Sequence, residues 1–136
     1  MASLIGPGLY EEFALDYDRR MVEYIHSHGA LVKLHICGNI KALLPLLQQV
    51  APDILDVDWM VDFKLAVDTF RGKPTSVCGN LDPVAVFLQS TVEELRQSVQ
   101  SAIRVSDETT FIAGGCEIPV DTPAENLYEM NRLLYR

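Results

Sequence analysis

His35 and Cys37 are separated by one residue, and a second cysteine, Cys116, stands far downstream. On a strand, residues i and i+2 project from one face, so an imidazole and a thiol at this spacing converge on a point. One nitrogen and two sulfurs make a partial shell for Zn²⁺, leaving a fourth position for a carboxylate or a substrate. Asp58 is the candidate for that carboxylate, and Asp56 is a weaker one. The same residues also suit a plain core. A cysteine at a strand end is commonly a small buried hydrophobe, and a histidine beside it a hydrogen-bonded core residue. Spacing alone leaves both readings open. Cys78 is expected to pack, or to lie behind the ligands. His26 and His28 sit at a helix end, where complementarity to the helix dipole accounts for them.

The elements that must position these side chains follow from periodicity and punctuation. Leu9 to His28 places Phe13, Tyr17, Met21, Tyr24 and Ile25 at helical spacing, with Gly29 as the expected C-terminal cap. Ala30 to Cys37 is a β-rich run stopped by Gly38-Asn39. A helix from about Lys41 to Val50 must start late or kink, because proline is comfortable only in a first turn and Pro45 lies inside this stretch. Asp53 to Asp58 is a second strand, Phe63 to Phe70 a short helix closed by Gly72, and Pro74 to Gly79 a third strand. Thr91 and Glu94 form a capping-box pattern opening a helix that runs to about Ser106. Thr109 to Ala113 is a fourth strand broken by Gly114-Gly115. Thr122 is expected to cap a last helix with Pro123 at its first position.

A helix followed by four β-α units implies an α/β fold with a parallel sheet and right-handed crossovers, either doubly wound or part of a (β/α) barrel. In both, the loops at the carboxyl edge of the sheet build the site. The three cysteines, His35, Asp56, Asp58, Asn80 and Glu117 all fall at or just after a strand end. The 136 residues are room for one domain, 1–136, without linker or low-complexity segment. A net charge of −8 argues against a nucleic-acid or anionic-membrane surface, and no apolar run approaches the ~18 residues of a membrane helix. Three widely spaced cysteines without a C-x-x-C pair fit a reduced, cytoplasmic compartment better than a disulfide framework.

Three stretches in order carry a resemblance: Leu34-His-Ile-Cys-Gly-Asn39, Gly79-Asn-Leu-Asp-Pro83, and Gly115 to Asn126 with its Cys-Glu-Ile-Pro-Val-Asp-Thr-Pro run. Together they resemble the uroporphyrinogen decarboxylase superfamily, and within it the zinc-dependent methyltransferases of the methylcobamide:coenzyme M kind. That resemblance implies zinc ligands at His35, Cys37 and Cys116, with Asp58 near where an acidic ligand is placed. It also implies a corrinoid (cobalamin) carried on a partner protein as methyl carrier, and a small thiol or methylated small molecule as the other reactant. Either a zinc-bound thiolate accepts the methyl group, or zinc acts as Lewis acid on the methyl donor. True decarboxylases of the superfamily carry a histidine in a Gly-His-Gly context where this chain has Cys116, which favours methyl transfer.

Such proteins are single (β/α)₈ barrels, and barrels of that kind typically need ~250 residues. The chain therefore corresponds to the C-terminal half, with Met1 just before the helix that precedes the fifth strand. Completion is expected from self-association into a homo-oligomer or from a missing N-terminal half, because an open parallel sheet exposes strand edges and a barrel face. Two other functions fit the motifs: a metal-independent, uroporphyrinogen decarboxylase-like activity on a tetrapyrrole, and a non-catalytic half-barrel that only associates.

Overall fold

The computed structural model describes residues 4–135. Four parallel strands form one sheet in the order β1-β2-β3-β4, with β1 at Lys33–Ile36, β2 at Ile54–Val57, β3 at Ser76–Leu81 and β4 at Phe111–Gly114. The register places His35 beside Asp56, Asp56 beside Cys78, and Cys78 beside Phe111. Strand order equal to chain order, with a helical crossover at each step, is the arrangement of consecutive barrel units. The fold is a partial (β/α) barrel, with β1 and β4 as the edges of the described sheet.

Alternation along each strand divides the sheet into two faces. Leu34 and Ile36, Leu55 and Val57, Val77 and Leu81, and Ile112 point outward and pack into the hydrophobic core. Above them lie α3 (Leu44–Val50), α4 (Phe63–Phe70) and α5 (Val92–Val105), which contribute Leu47, Ala66, Val67, Leu95 and Val99 to that core. The inward face carries Lys33, His35, Asp56, Cys78 and Phe111, and it is open: Phe111 is 51% exposed.

Local signals account for most element boundaries. Pro45 falls in the first turn of α3, because a 3₁₀ turn over Lys41–Leu43 comes first and the α-helix starts late. The Thr91–Glu94 capping box is formed in full at the start of α5. Several expectations need correction. The stretch from Leu9 to His28 is two helices, α1 (Gly6–Phe13) and α2 (Leu15–Ser27), broken at Ala14. The chain needs the break because α1 turns to bury Tyr10, whose hydroxyl donates to Asp18 at 2.6 Å. Of the helically spaced residues, Phe13, Tyr17, Met21 and Tyr24 are largely exposed, while Val22 is the buried residue of α2.

The strands also shift. β3 runs through Asn80 to Leu81 instead of stopping at Gly79, and β4 includes Gly114 instead of breaking there. A short π-helical turn, Pro83–Leu88, follows β3, capped by the Asp82 carboxylate on the Val84 and Ala85 N–H groups. Thr122 does not cap the last helix. Helix α6 spans Ala124–Leu134, Pro123 occupies the cap position without a side-chain bond, and Thr122 Oγ1 is buried without a hydrogen-bond partner among the described residues. Asn126 takes the anchoring role: its amide donates to the Phe87 and Ser90 carbonyls at 2.9 and 3.1 Å.

Candidate metal centre

His35 closes the inward face of β1, and Cys37 follows at the strand end, as the i, i+2 spacing requires. The ring is oriented by its far nitrogen, with Nδ1 lying 3.1 Å from the Asp56 carbonyl oxygen. A carbonyl can only accept, so in the neutral ring the proton sits on Nδ1 and the Nε2 lone pair is presented to the site. Cys37 Sγ lies 3.2 Å from Nε2. A fixed tautomer with the second nitrogen held by a protein oxygen is what metal-binding histidines generally show.

Asp58 follows β2 and is 4% exposed. Its two carboxylate oxygens accept from Gly38 N at 2.8 Å and Met60 N at 3.0 Å, so backbone holds the group in place. Cys116 arrives from the loop after β4. One donor atom from each of His35, Cys37, Asp58 and Cys116 lies within 4.8 Å of the other three. Burial and the neighbouring Cys116 and Asp58 push the Cys37 thiol above its ordinary pKa, the expected response of an acidic group crowded among others of its kind. A divalent cation would relieve that crowding, and an N, S, S, O donor set at this spacing fits zinc.

The two remaining candidates fall elsewhere. Asp56 lies level with His35, its Oδ2 3.6 Å from His35 Nδ1 behind the ring, where Lys33 Nζ pairs with the same oxygen at 2.9 Å. Its Oδ1 is buried without a hydrogen-bond partner among the described residues. Cys78 is not at the strand end, because β3 runs two residues further than its hydrophobic pattern implies. It is buried beside Asp56 and Lys33, and burial and the Asp56 carboxylate raise its thiol pKa. None of the three cysteines is in a disulfide. His26 bonds Asp53 at 2.7 Å at the opposite end of the sheet, far from the chemistry.

A cleft of about 620 Å³ opens over the donors, bordered by Lys33, Asp56, Glu117 and Ile118. Sequence reasoning set Asn80 at the sheet edge without a role and did not single out Asp62. Asp62 caps α4 by accepting from Leu65 N at 3.0 Å. Asn80 donates its amide to the carbonyls of Asp58 and Val61. Asp62 is a local N-cap three residues before its partner, whereas Asn80 bonds backbone atoms about twenty residues away in sequence, which periodicity does not show. No helix among the described residues is long and apolar enough to cross a membrane.

Comparison with known proteins agrees with this architecture. The profile of the uroporphyrinogen decarboxylase (URO-D) family matches residues 1–135. The methylcobamide:CoM methyltransferase MtbA of Methanosarcina acetivorans is 32% identical over 127 residues, covering 93% of this chain and 36% of that protein. A uroporphyrinogen decarboxylase of Thermodesulfovibrio yellowstonii is 30% identical over 102 residues, covering 75% of this chain and 28% of that one. The solved structure of a methyltransferase from Methanosarcina mazei superposes with a TM-score of 0.81 at 19% identity, covering 95% of this chain and 38% of its own. The chain thus spans about a third of the length of such relatives, 36% and 28% of these two. With its strand order, its three motifs and a profile match along nearly its whole length, the chain belongs to the uroporphyrinogen decarboxylase family.

Proposed function

We propose that this chain is the metal-bearing half of a zinc-dependent methyltransferase, moving a methyl group between a corrinoid protein and a small thiol or methylated small molecule. The convergence of four donors, His35, Cys37, Asp58 and Cys116, within 4.8 Å carries the reading. The similarity to a methylcobamide:CoM methyltransferase supports the methyl and corrinoid parts of it. When bound, zinc supplies Lewis acidity, lowering the pKa of a thiol or polarising the heteroatom of a methyl donor.

The chain's own residues do the rest. The Asp56 carbonyl keeps the His35 ring in one tautomer. The Gly38 and Met60 N–H groups hold the Asp58 carboxylate, and the thiols of Cys37 and Cys116 bring the negative charge that a cation balances. The cleft beside the donors admits the small reactant. Purified protein is expected to hold zinc near one per chain, and His35→Ala and Cys116→Ala to lose it. Absence of zinc in wild type, or its retention in both variants, overturns the reading.

The barrel is completed, on this reading, by four further units from a preceding N-terminal half or from a second copy. The open inward face, the two strand edges and the exposed Phe13, Tyr17, Met21 and Tyr24 on the first helices support it. Light scattering is expected to show a defined assembly, and a compact monomer at high concentration counts against it. Tetrapyrrole decarboxylation is less well supported. Carboxylate-rich substrates call for arginine forks, and Arg19, Arg20, Arg96, Arg104 and Arg132 lie on helices, away from the cleft.

A further inference from the structure

β2 and β4 are not neighbours, because β3 runs between them. Asp58 after β2 and Cys116 after β4 therefore meet only because their two loops close over the end of β3. Two residues control that closure. Gly115 lies so near the first peptide of the Asp58–Val61 turn that a Cβ built on it would be 2.4 Å from Trp59 N and 2.9 Å from Trp59 Cα. Both atoms are backbone, so no side-chain rotation could make room. From β3 itself, the Asn80 amide donates to the Asp58 carbonyl at 3.2 Å and to the Val61 carbonyl at 2.6 Å, bracing the same turn. Gly115 is in turn fixed by its own N–H on the Leu81 carbonyl at 2.8 Å.

We propose that Gly115 and Asn80 are positioning residues of the metal centre, clamping the Asp58–Val61 turn between the ends of β3 and β4 so that the Asp58 carboxylate stands beside Cys116. The inference rests on the zinc reading above and adds to it the residues that hold its fourth ligand. It also gives the Gly79-Asn-Leu-Asp-Pro83 motif a physical role. Gly79 passes against Val57, where a Cβ would be 2.6 Å from the carbonyl oxygen. Asn80 braces the turn, Leu81 receives Gly115, and Asp82 caps the helical turn that follows.

The test is zinc affinity, measured on the full chain by competition with a chromophoric chelator, for Gly115→Ala, Asn80→Ala and each of these combined with Asp58→Asn. Supports behind metal ligands generally contribute about ten- to a hundred-fold in affinity, and a loss of that size is expected for each single variant. In the Asp58→Asn background the same substitutions are expected to change affinity by no more than about two-fold, because a residue acting through Asp58 has nothing left to position. Circular dichroism establishes that each variant is folded. Should Gly115→Ala fail to fold, Asn80→Ala, which adds no volume, carries the test alone. A folded Asn80→Ala with wild-type affinity overturns the proposal, and so does a loss that persists in full without the Asp58 carboxylate. Wild-type protein that takes up no zinc overturns the underlying reading instead.

Discussion

The two faces of one sheet divide the work of this molecule. The outward face is aliphatic, covered by three helices, and closed to water at Leu55 and Val57, each 0% exposed. The inward face holds Lys33, His35, Asp56 and Cys78, and of these Lys33, His35 and Asp56 border the open cleft. Because side chains alternate, every strand must satisfy both demands at once, and a one-residue slip would exchange them. Stability is therefore concentrated on one face and chemistry on the other.

Substitutions on the two faces should separate accordingly. Leu55→Ala empties a fully buried site on the helix-clad face and is expected to cost ~2–5 kcal/mol in chemical denaturation, while the folded fraction still holds zinc. Cys116→Ala on the open face should do the reverse. Unfolding of metal-free protein should move by less than ~1 kcal/mol, but zinc should no longer raise the midpoint, because stabilisation by a ligand requires binding to the native state. Equal losses of both properties in both variants would break the division.

Lys33 tests whether the open face also holds structure. Its ammonium pairs at 2.9 Å with the Asp56 carboxylate, whose other oxygen is buried without a hydrogen-bond partner among the described residues. Lys33→Met should cost ~1–3 kcal/mol by leaving that carboxylate unsatisfied, and adding Asp56→Asn should recover part of the loss. The Asp56 hydrogen bond raises the Lys33 pKa above its ordinary 10.5. The pair's stabilisation is thus present below that value and is lost as pH rises through the higher native one.

How far each region was legible in the sequence follows the same division. Core strands and helices declare themselves through local patterns, so the four β-α units, the late start of α3 and the α5 capping box could be read directly. The convergence of His35, Cys37, Asp58 and Cys116 was legible because few residue types at strand ends can serve as metal donors. What eluded the pattern was tertiary. The end of β3 carries Asn80, a polar residue that looks like loop until its bonds to the Asp58–Val61 turn are seen. Thr122 has the residue type of a cap, but α6 starts after Pro123, and Asn126 fastens its first turn to the Phe87 carbonyl of the distant π-helical turn. The exposed stripe Phe13, Tyr17, Met21 and Tyr24 has helical spacing without a covered face, so periodicity shows the helix and not its neighbour.

Smaller effects lie on the outer layer. Thr91→Ala removes a cap that the sequence announces and the structure forms, and should cost ~1 kcal/mol with no change in zinc affinity. An acid titration of the metal-free chain probes the same layer through Glu129, which fastens α6 to α5. Its carboxylate accepts from Arg96 at 2.8 Å and from Arg132 at 2.8 and 2.7 Å. Those hydrogen bonds, Arg132 first and Arg96 second, hold its pKa at about 2 against an ordinary 4.5. A carboxylate with a depressed native pKa stabilises the fold fully above the unfolded value and loses that contribution as pH falls through the native one. Stability should therefore decline between pH 4.5 and about 2, and Glu129→Gln should flatten that decline by removing the proton uptake. Because the clamp ties two outer helices and touches none of the inward-facing residues, the same variant should bind zinc at neutral pH as wild type does. A Glu129→Gln chain with an unchanged acid limb would place the acid sensitivity on other carboxylates held low, such as Asp53 and Asp107.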